Sequence, residues 1–239
     1  MSAVIEVRDL TIRYGDVAAV SGLNLTVQAG EVLGLLGGNG AGKSSTLRAI
    51  AGVNPPTSGL LAVGGHDMSD PRAVEKARAV VGYCPDVGGL LRQATVREHI
   101  GLALALHGQT RMWPQALELV EQFDLTHVFD RVTAGFSHGM CRRLSVLLAV
   151  LTAKQVLILD EPFDGVDPLG VDATITAVNL ARQAGLGVLI STHLLDVLVE
   201  PCDRIVVMGH GRIVADDDPQ AFAGVDGKAR YADLLQALA

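Results

Sequence analysis

The sequence predicts an α/β fold: a phosphate-loop core, an N-terminal antiparallel β subdomain and an inserted α-helical subdomain. Three observations carry this prediction. Val32-Leu33-Gly34-Leu35-Leu36 is a short apolar run, read as a strand buried on both faces, and a glycine-rich turn and helix-compatible residues follow it. The same kind of buried strand returns at Val156–Asp160 and at Leu186–Ser191, with a helix around Val171–Ala184 between them. A helix-rich block that ends near Thr152 interrupts this alternation and reads as a separate lobe.

The elements follow in order. Val4–Val7, Leu10–Tyr14, Val17–Val20 and Leu23–Val27 are short β-prone runs punctuated by Gly15-Asp16 and Ala29-Gly30. They predict an antiparallel sheet laid against the core. After the loop helix, Asn54–Gly59 is a turn and Leu60–Val63 a strand. Asp70–Ala79 reads as a polar helix with Pro71 at its first position, and Val80–Cys84 as a strand closed by Pro85-Asp86. Thr95-Val96-Arg97-Glu98 is a capping box that opens a helix running to about His107. Pro114 opens a second helix, with Leu117, Val120 and Leu125 along one side, and a third runs from Ser137. His99 and His107 have no evident partner and read as packing or surface histidines. Ile205–Met208 and Ile213–Ala215 form a predicted hairpin across Gly209-His210-Gly211. Asp216-Asp217-Asp218 reads as a solvated loop, Asp218 capping a helix with Pro219 at its first position. Tyr231, Leu234, Leu235 and Leu238 keep helical spacing, so an amphipathic C-terminal helix docked on the core is expected.

Composition narrows the function. A chain of 239 residues with 49% hydrophobic residues buries a substantial core. Its net charge of −7 argues against a sequence-independent nucleic-acid binder, and no nucleic-acid partner is expected. The three cysteines, 84, 141 and 202, lack metal-ligand spacing and read as free thiols of a reducing compartment. The longest apolar run, Leu144–Leu151, is too short to span a membrane, and no signal peptide is evident at the N-terminus. Any membrane role therefore needs a partner.

The chemistry centres on Gly37-Gly38-Asn39-Gly40-Ala41-Gly42-Lys43-Ser44, which fits G-x-x-x-x-G-K-[ST]. Glycines let backbone N–H groups converge on phosphate oxygens, and the helix that follows adds its positive dipole end. Lys43 would reach the β- and γ-phosphates and the Ser44 hydroxyl a magnesium ion. The four apolar residues ending in Asp160-Glu161 supply the second half: one carboxylate for magnesium, the next to orient or deprotonate a water. An apolar run before Asp-Glu alone is more often a plain strand end; beside a phosphate loop it is specific. Tyr14 at a strand end would by itself be an ordinary strand tyrosine.

With Phe136-Ser137-His138-Gly139-Met140 between these motifs and Ser191-Thr192-His193 after them, the chain resembles the ATP-binding-cassette (ABC) ATPases, P-loop NTPases, over nearly its whole length. The resemblance implies a single domain 1–239, with core segments 1–86 and 153–225, a helical insert 87–152 and a C-terminal helix 226–239. It implies ATP and Mg²⁺ as ligands. The ATP site would comprise Tyr14 stacked on adenine, the loop from Gly37 through Ser45, and Ser137, Gly139 and Asp167 across a dimer. Asp160 and Ser44 would hold the metal, Glu161 would be the catalytic carboxylate, and His193 the switch histidine at the γ-phosphate. Phe163–Asp167 looks like the loop that communicates between subunits. The implied partners are a second ABC subunit, identical or not, and an integral membrane permease, at the cytoplasmic face of the membrane. Two positions depart from the family pattern: His138 replaces the first glycine of the signature, and Asp86 replaces a glutamine after Pro85. The form Phe-Ser-His-Gly-Met-x-Arg-Arg-Leu resembles drug- and lipid-exporting systems with separate permeases more than importers. A soluble ABC ATPase acting as a scaffold is the alternative.

Overall fold

A computed structural model describes residues 2–236. Strand β1 (Ala3–Tyr14) and strand β2 (Val17–Gln28) form one long hairpin, where the sequence suggested four short strands. Gly15-Asp16 and Ala29-Gly30 do separate strands, but the gaps expected between Val7 and Leu10 and between Val20 and Leu23 lie inside strands. Asp9 (φ 50°) and Gly22 (φ 64°) sit at register shifts there, and the Asn24 side chain accepts the Asp9 N–H at 3.0 Å. These are bulges that bend a continuous ladder. Leu23, Leu25 and Val27 are buried between exposed neighbours, the expected period of two. Strands β3 (Val32–Leu36), β4 (Ser58–Val63) and β5 (His66–Asp67) follow, with α1 (Lys43–Ile50) before β4. The antiparallel sheet has the order β2-β1-β4-β5.

The second sheet carries the site. Helix α2 (Pro71–Arg78) leads to β6 (Val81–Cys84); beyond three more helices come β7 (Val156–Asp160), β8 (Gly187–Thr192), β9 (Arg204–Gly209) and β10 (Arg212–Asp217). The strand order is β10-β9-β3-β8-β7-β6, parallel except for the antiparallel β10. Strands β3, β7 and β8 are buried at every residue, as continuous Val/Ile/Leu runs require. Helix α1 lies with Leu47, Ala49 and Ile50 in an apolar layer shared by the two sheets.

The other face of this sheet packs against the helices. Helix α3 (Val96–Leu106) starts at the Thr95 capping box, whose two hydrogen bonds measure 3.2 and 2.7 Å. Helix α4 (Trp113–Gln122) buries Val120 but leaves Leu117 exposed; the chain turns at Asp124 (φ 52°), and Leu125 enters the core from beyond the helix. Helix α5 (His138–Thr152) and helix α6 (Pro168–Gln183) complete the layer, and α7 (Gly224–Gln236) lays Tyr231 and Leu234 on the core. Leu238 lies outside the described residues. His99 is buried, its Nε2 accepting from Leu91 N at 2.9 Å and its Nδ1 2.7 Å from Thr95 O, so it braces a loop. The aspartate run is used in ion pairs, Asp216 with Arg204 and Asp217 with Arg230, while Asp218 caps the turn at Pro219.

Candidate active site

The parallel register places the motifs side by side. Leu36 pairs with Thr192, and Asp160 with Ser191, so β3, β7 and β8 end at one edge of the sheet. Ligands of open α/β sheets bind in the crevice at such carboxyl ends. Here the crevice is a cleft of about 700 Å³ lined by the phosphate loop, Tyr14, Asp86, Glu161, Asp164 and His193. The loop needs its glycines. Gly42 caps α1 at φ 102°, where a side chain would be strained, and a Cβ there would lie 2.6 Å from Ala19 O.

The loop's polar groups are tied to the carboxylates. Lys43 is buried; its Nζ donates to Gly37 O at 2.7 Å and lies 3.2 Å from Glu161 Oε1. The other Glu161 oxygen meets His193, 3.0 Å from Nδ1 and 3.3 Å from the backbone N–H. Glu161 takes φ 49°, a conformation rare for a residue with a side chain. One step back, the Ser44 hydroxyl donates to Asp160 Oδ1 at 3.1 Å and the Ser191 hydroxyl to the same oxygen at 2.5 Å. Burial raises the Asp160 carboxyl above its usual range; the two hydroxyls oppose this, and the charges of Asp86 and Glu161 add to it. Asp160 Oδ2 is buried with no hydrogen-bond partner. An unpaired carboxylate oxygen beside a serine hydroxyl is an all-oxygen donor set, and it fits a hard divalent cation.

Other expected residues lie elsewhere. Ser137 caps α5, its Oγ accepting from Met140 N at 3.2 Å, and is exposed. Gly139 packs against the loop 163–167, where a Cβ would meet Gly165 O at 2.8 Å. Asp167 caps α6, accepting from Gly170 N at 2.8 Å. None of these three lines the cleft; Asp164 does. His138 stands 3.5 Å from Asp164 with both side chains exposed. Sequence reasoning left out two groups as site residues. Ser191 enters the sequence reading only through the Ser191-Thr192-His193 motif, because its register with Asp160 depends on which strands are neighbours. Arg142, the other, stands on α5 two residues before the apolar run Leu144–Leu151.

Comparison with known proteins identifies the family. The model of the family described as ABC transporter matches residues 20–164. The chain is 32% identical to the lipopolysaccharide export system ATP-binding protein LptB of Haemophilus influenzae, over 91% of this chain and 92% of that protein. It is 37% identical to the daunorubicin/doxorubicin resistance ATP-binding protein DrrA of Streptomyces peucetius, over 89% of this chain and 64% of that one. A solved ATP-binding subunit of an ABC transporter superposes with a TM-score of 0.88 at 30% identity, covering 97% of this chain and 99% of that structure. A dimeric bacterial ABC transporter cassette shares the fold at a TM-score of 0.82 and 22% identity, covering 92% of this chain and all (100%) of that chain.

Proposed function

The chain belongs to the ABC transporter family and is an ATP-hydrolysing, ATP-binding subunit of it; on that premise we propose that it drives export through a separate membrane permease. The observation that carries the chemistry is the convergence of Lys43, Ser44, Asp160, Glu161 and His193 at the edge of one cleft. Export is supported by the relatives' names, LptB of a lipopolysaccharide export system and a Nod factor export protein of Burkholderia lata among them. Among the described residues no helix is long and apolar enough to cross a membrane, so attachment at the cytoplasmic face would come through the permease.

In this reading the amides from Gly37 through Ser45 bind the ATP phosphates and Tyr14 stacks on the base. Ser44 and Asp160 would hold Mg²⁺, which supplies charge neutralisation on the phosphates. Glu161 is engaged by Lys43 and His193. A γ-phosphate that draws Lys43 away leaves the Glu161 carboxylate open to accept a proton from the attacking water, with His193 still beside it. Ser137, Gly139 and Asp167 serve the nucleotide of a second cassette, which accounts for their place outside this chain's own cleft. The division into core, insert 87–152 and C-terminal helix is proposed as the functional one, the insert carrying Ser137 and Gly139. Co-purification from detergent-solubilised membranes tests transport. A polytopic partner is expected; its absence overturns the permease and favours a soluble scaffold.

A further inference from the structure

Arg142 has no role in the chemistry above, yet it is one of the most deeply buried charged residues, 4% exposed. It stands on α5, five positions after the cap Ser137. A guanidinium leaves water at high cost unless its donors are met. Here the two terminal nitrogens are met, largely by backbone, while Nε is buried with no hydrogen-bond partner. Nη1 donates to Pro85 O at 2.8 Å and to Asp160 O at 3.3 Å; Nη2 donates to Asp86 O at 2.5 Å and to Asp86 Oδ1 at 3.2 Å. One planar fork thus joins the helix to the ends of β6 and β7. No other side chain offers several donors in so fixed a plane.

The bond to Asp160 reaches the chemistry. The Asp160 carbonyl and the Glu161 N–H belong to one peptide plane, the plane that links the two carboxylates. Arg142 holds its oxygen end. Ser191 holds its other end, the Glu161 N–H lying 3.0 Å from Ser191 O and 3.3 Å from its hydroxyl. Glu161 sits at φ 49°, a conformation that persists only where its surroundings enforce it. Rotation of that plane would swing the Glu161 carboxylate relative to Lys43 and His193. Asp86, for its part, is a carboxylate on the cleft wall that is already engaged with Arg142.

We propose that Arg142 is a positioning residue for hydrolysis: it transmits the position of helix α5 to the Asp160–Glu161 peptide and so aims the Glu161 carboxylate. Asp86 is the counter-ion of Arg142 in this linkage and not a ligand of the metal. The inference rests on the proposed role of Glu161, and it joins two positions, Asp86 and Arg142, that lie 56 residues apart in the chain.

The test uses the full chain with three variants, Arg142→Lys, Asp86→Asn and the two combined. Lysine keeps the charge but cannot span three carbonyls. For Arg142→Lys, kcat is expected to fall about 10–100-fold, the scale of a catalytic group displaced by about an ångström. ATP affinity measured in EDTA stays within about twofold, because the ground-state contacts are untouched. Asp86→Asn lowers kcat about twofold to fivefold, as loss of a partly exposed ion pair does, and leaves the half-saturating magnesium concentration unchanged. In the double variant kcat matches Arg142→Lys alone, because Asp86 acts through Arg142. A wild-type kcat in Arg142→Lys overturns the proposal, as does a loss of ATP affinity in step with kcat. Multiplying losses in the double variant break the pairing. Should Arg142→Lys fail to fold, Asp86→Asn alone decides: a several-fold higher magnesium requirement makes Asp86 a metal-site residue and defeats the assignment. Glu161→Gln in the same assay separates the two readings, since retained hydrolysis there defeats the role of Glu161 itself.

Discussion

At the carboxyl ends of β3, β7 and β8, the groups that carry the chemistry touch one another. Lys43 meets Glu161, Glu161 meets His193, and Ser44 and Ser191 share one oxygen of Asp160. At the N-terminus of α5 the arrangement is the reverse: Ser137 bonds only within its own first turn, and it stands exposed outside the cleft. The difference lies in how each is supported. Side chains at the ends of buried parallel strands sit a few ångströms apart by register, so they pair with one another. A helix N-terminus presents its donors outward and pairs only with what arrives. The first region is the proposed catalytic half; the second is the proposed binding half, whose ligand would belong to another chain.

Glu161 gives the largest expected effect within the wired region. Glu161→Gln keeps the size and a hydrogen bond to His193 but removes the base, so hydrolysis should drop by about 10²–10⁴-fold. ATP should then accumulate in a dimer visible by size-exclusion chromatography in Mg-ATP. Near-wild-type hydrolysis with only monomer present would place the base elsewhere.

The contrast between the two regions is broken or upheld by mixing. Lys43→Ala disables the wired half and Ser137→Arg the outward half, and each protein alone should be inactive. In an equal mixture about half the dimers are mixed, and each mixed dimer has one site with both halves intact, so about a quarter of wild-type activity should return. This expectation requires that one intact site suffices. No recovery in demonstrably mixed dimers counts against the shared site.

These two regions also differ in how far the sequence revealed them. The wired half was legible because each member sits at a strand end or helix start, and apolar runs of five or six residues locate those ends. Its connections were not legible. That Lys43 spends its charge on Glu161, or that Ser191 holds Asp160, depends on which strands are neighbours, and β8 lies between β3 and β7 although it follows both in sequence. Arg142 is illegible for a related reason: its partners lie 57, 56 and 18 residues away, and all but the Asp86 carboxylate are backbone atoms, which leave no mark on residue identity. In the β subdomain, the gaps at Asp9 and Gly22 separate β-prone runs in the sequence but are bulges in the fold, because the neighbouring strand continues past them. Asp167 shows the opposite limit. The resemblance implied a ligand contact for it, and within this chain its side chain caps a helix.

Tyr14 tests the rim of the wired half, where the connections run out. Its ring is 47% exposed and its hydroxyl is 3.5 Å from the Asn54 amide, too long to fix it. Stacking on a base is a contact made equally in ground and transition states, so Tyr14→Ala should raise KM and leave kcat nearly unchanged. About 0.5–1.5 kcal/mol corresponds to a change of roughly threefold to tenfold. Tyr14→Phe should be almost silent, and unaltered ATP affinity in Tyr14→Ala would remove the stacking role.

The smallest effect expected lies with the three free thiols, which report on the two regions separately. Burial pushes Cys84 and Cys202 up to about 12, and at pH 8 only about one thiol in 10⁴ is then the reactive thiolate. Both should resist a maleimide in the folded chain. Cys141 is half-buried, and burial raises it too, against the opposing charges of Arg92 and Arg142. Because its carrier of reactivity is the deprotonated form, its labelling should quicken as pH rises from 7 to 9. Cys141 lies four residues after Ser137, about one helical turn along the same face of α5. A second chain that covers Ser137 in the nucleotide-bound dimer should therefore slow the labelling of Cys141. In Glu161→Gln with Mg-ATP a decrease of about threefold or more is expected at fixed pH, with Cys84 and Cys202 silent throughout. Unchanged labelling of Cys141 in a sample shown to be dimeric would mean that the first turn of α5 faces solvent there, and that the outward half-site meets no partner.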